Sequence, residues 1–229
     1  MIHLAGPSSG PASAKDPEGA IDISNKITFN VLRVCEQLSI KRLLFTSSMA
    51  VYGNPSKLPV DEKSICKPIS YYGIAKLSSE HIIQAFCKSS NLEYSIVRLF
   101  NIYGPGQLNF SALIPDCIQC ALGYNDFVPR SNGSHLRDFI YVGDVVKLYP
   151  AIAKNLAQNT SISGEVFNAG SNNPKTVKEI IKKIYKLLGE EEKYKLIEDL
   201  FYKNKTIGEI DYQYMNFNKV KKYFGWSPE

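Results

Sequence analysis

Residues 41–53 read KRLLFTSSMAVYG, and the order of side chains within them decides the fold. Leu43, Leu44 and Phe45 follow one another without polar alternation, the pattern of a strand covered on both faces, as in a parallel sheet. Three hydroxyl residues, Thr46, Ser47 and Ser48, end the run, and Gly53 opens a loop punctuated by Pro55, Pro59 and Pro68. A strand covered on both faces needs helices beside it in the chain. Residues 18–38 (EGAIDISNKITFNVLRVCEQL) carry Ile23, Ile27, Val31, Val34 and Leu38 at helical spacing, and a second helix is expected at 70–88. Another buried strand, YSIVRLF, follows at 94–100 and is broken by the turn YGPGQ. Further out, the pattern predicts a strand tail at 2–5, helices at 109–122, 140–155, 176–188 and 216–224, a strand at 164–168 and a loop over 124–138. Strands separated by helices predict an α/β fold: a partial, doubly wound parallel sheet with a smaller C-terminal region.

Composition narrows the function classes. The 229 residues hold 27 Lys+Arg against 22 Asp+Glu, a net charge of +5, with 44% hydrophobic and 21% charged residues. That excludes a disordered, collagenous or disulfide-built chain and leaves one large domain or two small ones. The lysine excess is spread along the chain as a solvated surface, so no nucleic-acid partner is expected. No apolar stretch reaches the roughly 18 residues of a membrane span, and the first residues, MIHLAGPSSG, lack the parts of a signal peptide. Five cysteines, an odd number, suit a reducing interior, and the expected location is cytoplasmic. Cys117 and Cys120 form a CxxC within ALIPDCIQCAL, with no second pair near it; they read as buried helix thiols, and no metal is expected.

Chemistry concentrates in the helix that begins YYGIAKLSSEH. Tyr72 and Lys76 stand four apart, on one face of its first turns. A lysine ammonium beside a phenol favours the phenolate and so lowers the pH at which tyrosine exchanges its proton. The alternative is a surface pair with no chemical role. Ser48 ends a buried parallel strand, where ligands of such sheets collect, and its hydroxyl can bond a substrate oxygen while tyrosine moves the proton; alternatively it satisfies strand-end backbone groups. Arg137 and Arg130 flank the loop SNGSHL in a chain that has few arginines, and a guanidinium suits forked recognition of phosphate. Against this stands an Arg137 paired with Asp138 or Asp144 for structure. His135 reads as a loop residue, and Glu80 and His81 as solvated.

Seven blocks, IHLAG (2–6), FTSSMAVYG (45–53), PISYYGIAK (68–76), VRLFNIYGPGQ (97–107), RDFIYVGDVV (137–146), EVFNAG (165–170) and FGWSP (224–228), resemble the extended short-chain dehydrogenase/reductase family in its NAD-dependent nucleotide-sugar epimerase/dehydratase branch. The resemblance covers nearly the whole chain. It implies a Rossmann-like sheet, with 1–103 and 137–168 in the NAD-binding part and 104–136 and 169–229 in the nucleotide-sugar region. It implies Ser48, Tyr72 and Lys76 as the catalytic hydroxyl, the acid/base tyrosine and the ribose-binding lysine. Leu4, Ala5 and Ser47 fall in segments that line the cofactor, and Asn101, with Arg130 and Arg137, in positions that hold substrate. The partner implied is a nucleotide-diphosphate sugar, and helices like 18–38 and 70–88 pair two subunits in similar folds, so a homodimer is expected.

Within the branch, GQLNFSALIPDCI and the later GEIDYQYMNFNKVKKYFGW are similar to CDP-glucose 4,6-dehydratases and their relatives. Dehydratases place an acid directly after the strand-end hydroxyl, however, and here Met49 and Ala50 stand there, neither able to move a proton. The reading is a 4-epimerase-like enzyme of surface-polysaccharide sugar metabolism, with a dehydratase or 4-ketosugar reductase as the alternative. The family's glycine-rich turn, whose backbone N–H groups hold the cofactor pyrophosphate, has no counterpart: Gly6 and Gly10, like Gly104 and Gly106, have the wrong spacing or place. A truncated chain or fragment fits this, as does a non-catalytic remnant. The 229 residues alone are accordingly expected to be poorly soluble, with an exposed strand edge, and to give no NAD binding by calorimetry. Micromolar affinity in that experiment would overturn the expectation.

Overall fold

The computed structural model describes residues 1–8, 10–129, 131–158, 160–202 and 212–229. In chain order these form β1 (Ile2–His3), α1 (Gly10–Lys15), α2 (Pro17–Gln37), β2 (Arg42–Ser48), a 3₁₀ turn (Met49–Tyr52), α3 (Tyr71–Lys88), β3 (Glu93–Leu99), β4 (Asn101–Tyr103), α4 (Leu113–Ala121), β5 (Leu136–Arg137), β6 (Phe139–Tyr141), α5 (Val142–Gln158), β7 (Val166–Ala169), β8 (Lys175–Thr176), α6 (Val177–Leu187), α7 (Glu191–Glu198), β9 (Tyr212–Gln213) and α8 (Asn218–Phe224).

Among the described residues the main sheet is four-stranded and parallel, in the order β1-β2-β3-β7. Its strands are covered on both sides, as the unbroken apolar run of β2 demands. Leu43 and Phe45 point to one face, where they join Ile96 of β3, Leu32 and Cys35 of α2 and Ile83 of α3. Leu44 points to the other, with Val97 and Leu99 of β3, Phe167 of β7, and Leu148 and Ile152 of α5. Val220 of α8 and Trp226 complete that second layer, and the Trp226 indole donates to the Asp144 carbonyl at 2.9 Å.

The apolar stripe read from α2 is turned partly away from the sheet, with Val31 at the edge of the core and its other members further out. Ile23 is 51% and Leu38 68% exposed; the buried positions are Ala20, Ser24, Thr28, Leu32 and Cys35, one step round the helix. Hydroxyl pairing explains the rotation. Ser24 and Ser79 share a hydrogen bond of 3.0 Å, and Thr28 donates to Ser79 at 3.0 Å, so small polar residues bring α2 and α3 close. Most of the apolar stripe is left toward the outside of the pair.

Smaller sheets cap the carboxyl ends of the main strands. β4 pairs with β6 in parallel, and β5 lies between β8 and β9. Here the sequence pattern misplaces some boundaries. The helix expected from 109 begins at Leu113, because the Asn109 side chain accepts the Ser111 N–H and hydroxyl in a turn of its own. The helix expected from 140 is first a strand, Phe139–Tyr141, paired to β4, and the 124–138 loop ends as β5. Thr176 and Glu179 form a reciprocal capping box that starts α6. Cys117 and Cys120 are buried free thiols of α4, packed with Ile181 and Tyr185 of α6 and Tyr194 of α7. Among the described residues no helix is long and apolar enough to cross a membrane.

In β1, His3 is 3% exposed, its ring 5.1 Å from that of Phe45, and its Nε2 has no hydrogen-bond partner among the described residues. Burial, with the Lys76 charge as a lesser cause, lowers its pKa from the ordinary 6.5 to about 4. As pH falls below 6.5 the unfolded chain takes up this proton and the folded chain refuses it until about 4, so stability declines through that window. The loss due to His3 is on the order of 2 kcal/mol. Urea unfolding at pH 7 and pH 4.5 is expected to show a smaller decline in His3→Phe than in the parent chain; equal declines would clear His3 as a cause.

Candidate active site

The carboxyl end of β2 and the amino end of α3 are held together by backbone contact. After Ser48 the chain enters the 3₁₀ turn, capped by the Ser48 hydroxyl, which accepts the Ala50 N–H at 3.2 Å. Gly53, at φ +64°, leaves the turn where a Cβ would lie 1.9 Å from the Lys67 carbonyl oxygen. Ser70 caps α3 by accepting the Gly73 N–H at 3.1 Å. At Gly73 itself a Cβ would fall 2.4 Å from the Ala50 carbonyl oxygen, so only glycine lets the helix start so close to the turn. The result is that the Ser48 and Tyr72 side chains, which have 23 residues between them in the chain, line one cavity, with the Ser48 hydroxyl near enough to act on the Tyr72 phenol.

Lys76, one turn further along α3, is 5% exposed. Its ammonium donates to the Thr46 carbonyl at 3.1 Å and lies 5.4 Å from the Phe45 ring centre and 5.9 Å from that of Tyr72. Burial lowers its pKa to about 8, with the Glu80 charge opposing the shift. The expectation that lysine would make the Tyr72 phenol more acidic is not met. Burial raises the Tyr72 pKa, and the Ser48 hydroxyl is what pulls it back down.

These groups open onto a cavity of about 910 Å³. Of the residues singled out from sequence, Leu4, Ser47, Ser48, Tyr72, Lys76, Asn101 and Arg137 line it. Ala5 does not and is exposed; Arg130 lies outside the described residues. Ser47 is 2% exposed and gives its hydroxyl to Glu80 at 2.5 Å. The Asn101 amide donates to the Asp138 carbonyl at 3.1 Å, and Arg137 donates to the Leu136 carbonyl at 2.9 Å. The carboxylate of Asp138, offered as a structural partner for Arg137, accepts the Ser171 hydroxyl and the N–H groups of Ser171 (2.9 Å) and Asn172 (3.0 Å).

Glu80 corrects the sequence reading. It is not solvated but fully buried, gripped by Arg98 of β3 through Nε to Oε1 at 3.0 Å and Nη2 to Oε2 at 2.6 Å. Arg98 also donates to the Tyr52 hydroxyl at 2.7 Å, and Tyr52 to Asn168 at 2.8 Å. His81, beside Glu80, is exposed. One sign of the buried pair was present in the sequence: Arg98 interrupts the apolar strand SIVRLF, and a charge there needs a buried counter-charge.

The arrangement is that of a proton-moving tyrosine, with a hydroxyl partner and an adjacent ammonium, at the carboxyl end of a parallel sheet. Residues 1–170 match the model of the NAD dependent epimerase/dehydratase family. The chain belongs to that family. A protein of Methanocaldococcus jannaschii, provisionally named a UDP-glucose 4-epimerase, is 31% identical over all of this chain and 72% of its own length. The UDP-glucose 4-epimerase of Lactobacillus helveticus is 25% identical over the same shares. Among solved structures, a UDP-glucose 4-epimerase of Thermotoga maritima with UDP-glucose superposes with a TM-score of 0.86 at 27% identity, over the whole chain and 71% of that protein. A dTDP-glucose 4,6-dehydratase of Streptomyces venezuelae shares the fold at a TM-score of 0.85 and 21% identity, over the whole chain and 67% of that protein.

The family's cofactor is NAD, and the residues present fit its nicotinamide half. Lys76 borders the cavity and spends one of its three N–H donors on Thr46, which leaves donors for the hydroxyls of a bound ribose. Tyr72 borders the same space, where a nicotinamide and a sugar can meet.

Proposed function

We propose that this site inverts the C4 configuration of a nucleotide-diphosphate sugar. The observation that carries the reading is the Ser48–Tyr72 pair, followed on the strand-end side by Met49 and Ala50. A 4,6-dehydratase needs further proton-transfer groups beyond the tyrosine, and these two side chains have none to offer. The relatives are UDP-glucose 4-epimerases and related nucleotide-sugar epimerases, which favours the epimerase over the dehydratase or reductase reading.

When bound, NAD supplies reversible hydride exchange with the sugar carbon. The chain's own residues handle the proton and the geometry. Tyr72, as phenolate, takes the proton from the 4-hydroxyl and later returns it, and Ser48 bonds the same oxygen and stabilises the phenolate. The raised pKa of the unliganded phenol, with Lys76 already 5.9 Å from the Tyr72 ring, means that the phenolate needs positive charge beyond that of the chain's own residues. Arg137 and Asn101, which line the same cavity, are proposed to restrain the diphosphate while the sugar ring turns. Residues 104–136 and 169–229 are proposed as the substrate region and 1–103 with 137–168 as the cofactor region. A reducing, cytoplasmic setting suits five free thiols.

In a form of the protein that also carries the family's glycine-rich turn and binds NAD, UDP-glucose, the first substrate tried, is expected to give the C4 epimer at unchanged mass. In that same form, Tyr72→Phe is expected to lower turnover by a factor on the order of 10² or more, with little change in KM. Loss of one water in the mass spectrum would overturn the epimerase assignment, and turnover within twofold of the parent would remove Tyr72 from the mechanism.

A second copy of the chain is the partner proposed for the outer face of α2 and α3. Phe29 (45% exposed) and Ile74 (39%) lie there and border a shallow groove with Ile82 and Phe86. An apolar face of this kind on a pair of helices suits self-association. Sedimentation is expected to give twice the 25.6 kDa chain mass, falling to the single mass in Phe29→Asp/Ile74→Asp. A single mass for the parent chain would count against the dimer.

A further inference from the structure

Tyr72, Lys76 and Glu80 follow at four-residue steps, so α3 stacks them along one face. The Glu80 carboxylate, at the inner end of that stack, is where three elements meet. Arg98 reaches it from β3 with two hydrogen bonds, and Ser47 reaches it from β2 with a third, of 2.5 Å. Ser47 stands between Thr46, whose carbonyl takes the Lys76 ammonium, and Ser48, whose hydroxyl faces the same cavity as Tyr72. One carboxylate therefore ties α3 to β2 at the level from which both reactive hydroxyls project.

Resting on the roles proposed above for Tyr72 and Lys76, we infer that Glu80 is a positioning residue: held by Arg98 and Ser47, it fixes the register between the Tyr72–Lys76 face of α3 and the Ser48 end of β2. Stability alone is a poor explanation of such a pair, since a buried ion pair is commonly matched or exceeded by apolar side chains of similar volume. Position explains it better, because proton transfer is sensitive to displacements of an ångström. Charge adds a second effect. Lys76 is faced by Tyr72 and Glu80 from α3, by the Phe45 ring and Thr46 carbonyl from β2, and by His3 from β1; of these Glu80 supports the ammonium, whereas burial opposes it. Glu80 itself is faced by Ser47 and Arg98, and Arg98 by Tyr52 and Cys66.

Two variants of the full chain test this. Glu80→Gln/Arg98→Met removes both charges, so no lone ion is left buried. Ser47→Ala cuts only the tie to β2 and leaves the ion pair in place. In chain labelled with ¹³C at lysine Cε and tyrosine Cζ, NMR titration follows Lys76 and Tyr72, whose signals are assigned from Lys76→Arg and Tyr72→Phe. Lys76 is expected to lose its proton at lower pH in the double variant than in the parent chain. Tyr72 is expected to titrate at higher pH in both variants, because the Ser48 hydroxyl, which lowers its pKa, is displaced from it. When the same substitutions are placed in a form that also carries the glycine-rich turn, turnover with NAD is expected to fall about tenfold or more, with KM changed by less than about threefold. Thermal melting reports whether each variant is folded, and should the double variant not fold, the Tyr72 titration in Ser47→Ala decides alone. Unchanged titrations in folded variants would reduce Glu80 to a structural ion pair and overturn the inference. Shifted titrations in a chain whose product is not the C4 epimer would overturn the reaction assignment and leave the role of Glu80 standing.

Discussion

The parallel pairing of β2 with β3 runs from Arg42 opposite Glu93 to Ser48 opposite Leu99, and almost every other feature of the molecule is referred to it. It commits the backbone polar groups of two central strands, so that their side chains can be buried on both faces without an unsatisfied amide. It also sets the register of the site. Ser47 lies opposite Arg98, and this adjacency lets the two side chains converge on Glu80. One strand later, β7 brings Asn168 opposite Arg98 and so extends the polar chain through Tyr52.

The order of strands and helices was legible because burial of a parallel strand leaves a one-dimensional trace. KRLLFTSS and YSIVRLF each announce themselves as buried strands, and the helix of Tyr72 and Lys76 lies within the segment expected to be helical. The short strands were not legible. β4, β5, β8 and β9 span two or three residues and exist through partners far away in the chain, so no local period marks them. Leu136 and Arg137 are strand residues because Thr176 and Lys175 on one side and Tyr212 and Gln213 on the other accept them.

The site divides along the same line. Ser48, Tyr72 and Lys76 could be found because each sits at a place that sequence marks, a strand end or a helix face. Glu80 was misread because local sequence cannot tell a helix face turned to water from one turned to a buried arginine. The facing of α2 failed for a related reason. Ile23, Ile27, Val31, Val34 and Leu38 form a sound apolar stripe, yet Ser24 and Thr28 won the inner position by satisfying one another and Ser79 at close range. Apolar spacing specifies that a helix has a face to cover, and it does not specify what covers it.

The approach of Gly73 to the Ala50 carbonyl has a bearing on how this site can change. The spacing of the Ser48 and Tyr72 hydroxyls is set there by main chain against main chain, with no rotamer in between. Other parts of the cavity wall, such as Leu108, Val128 and Gln213, are side chains on loops and short strands. Exchanges at those positions reshape the cavity without moving the Ser48 and Tyr72 side chains. Within such an architecture, what the cavity admits can drift by single substitutions while the pair at its wall stays where the backbone put it.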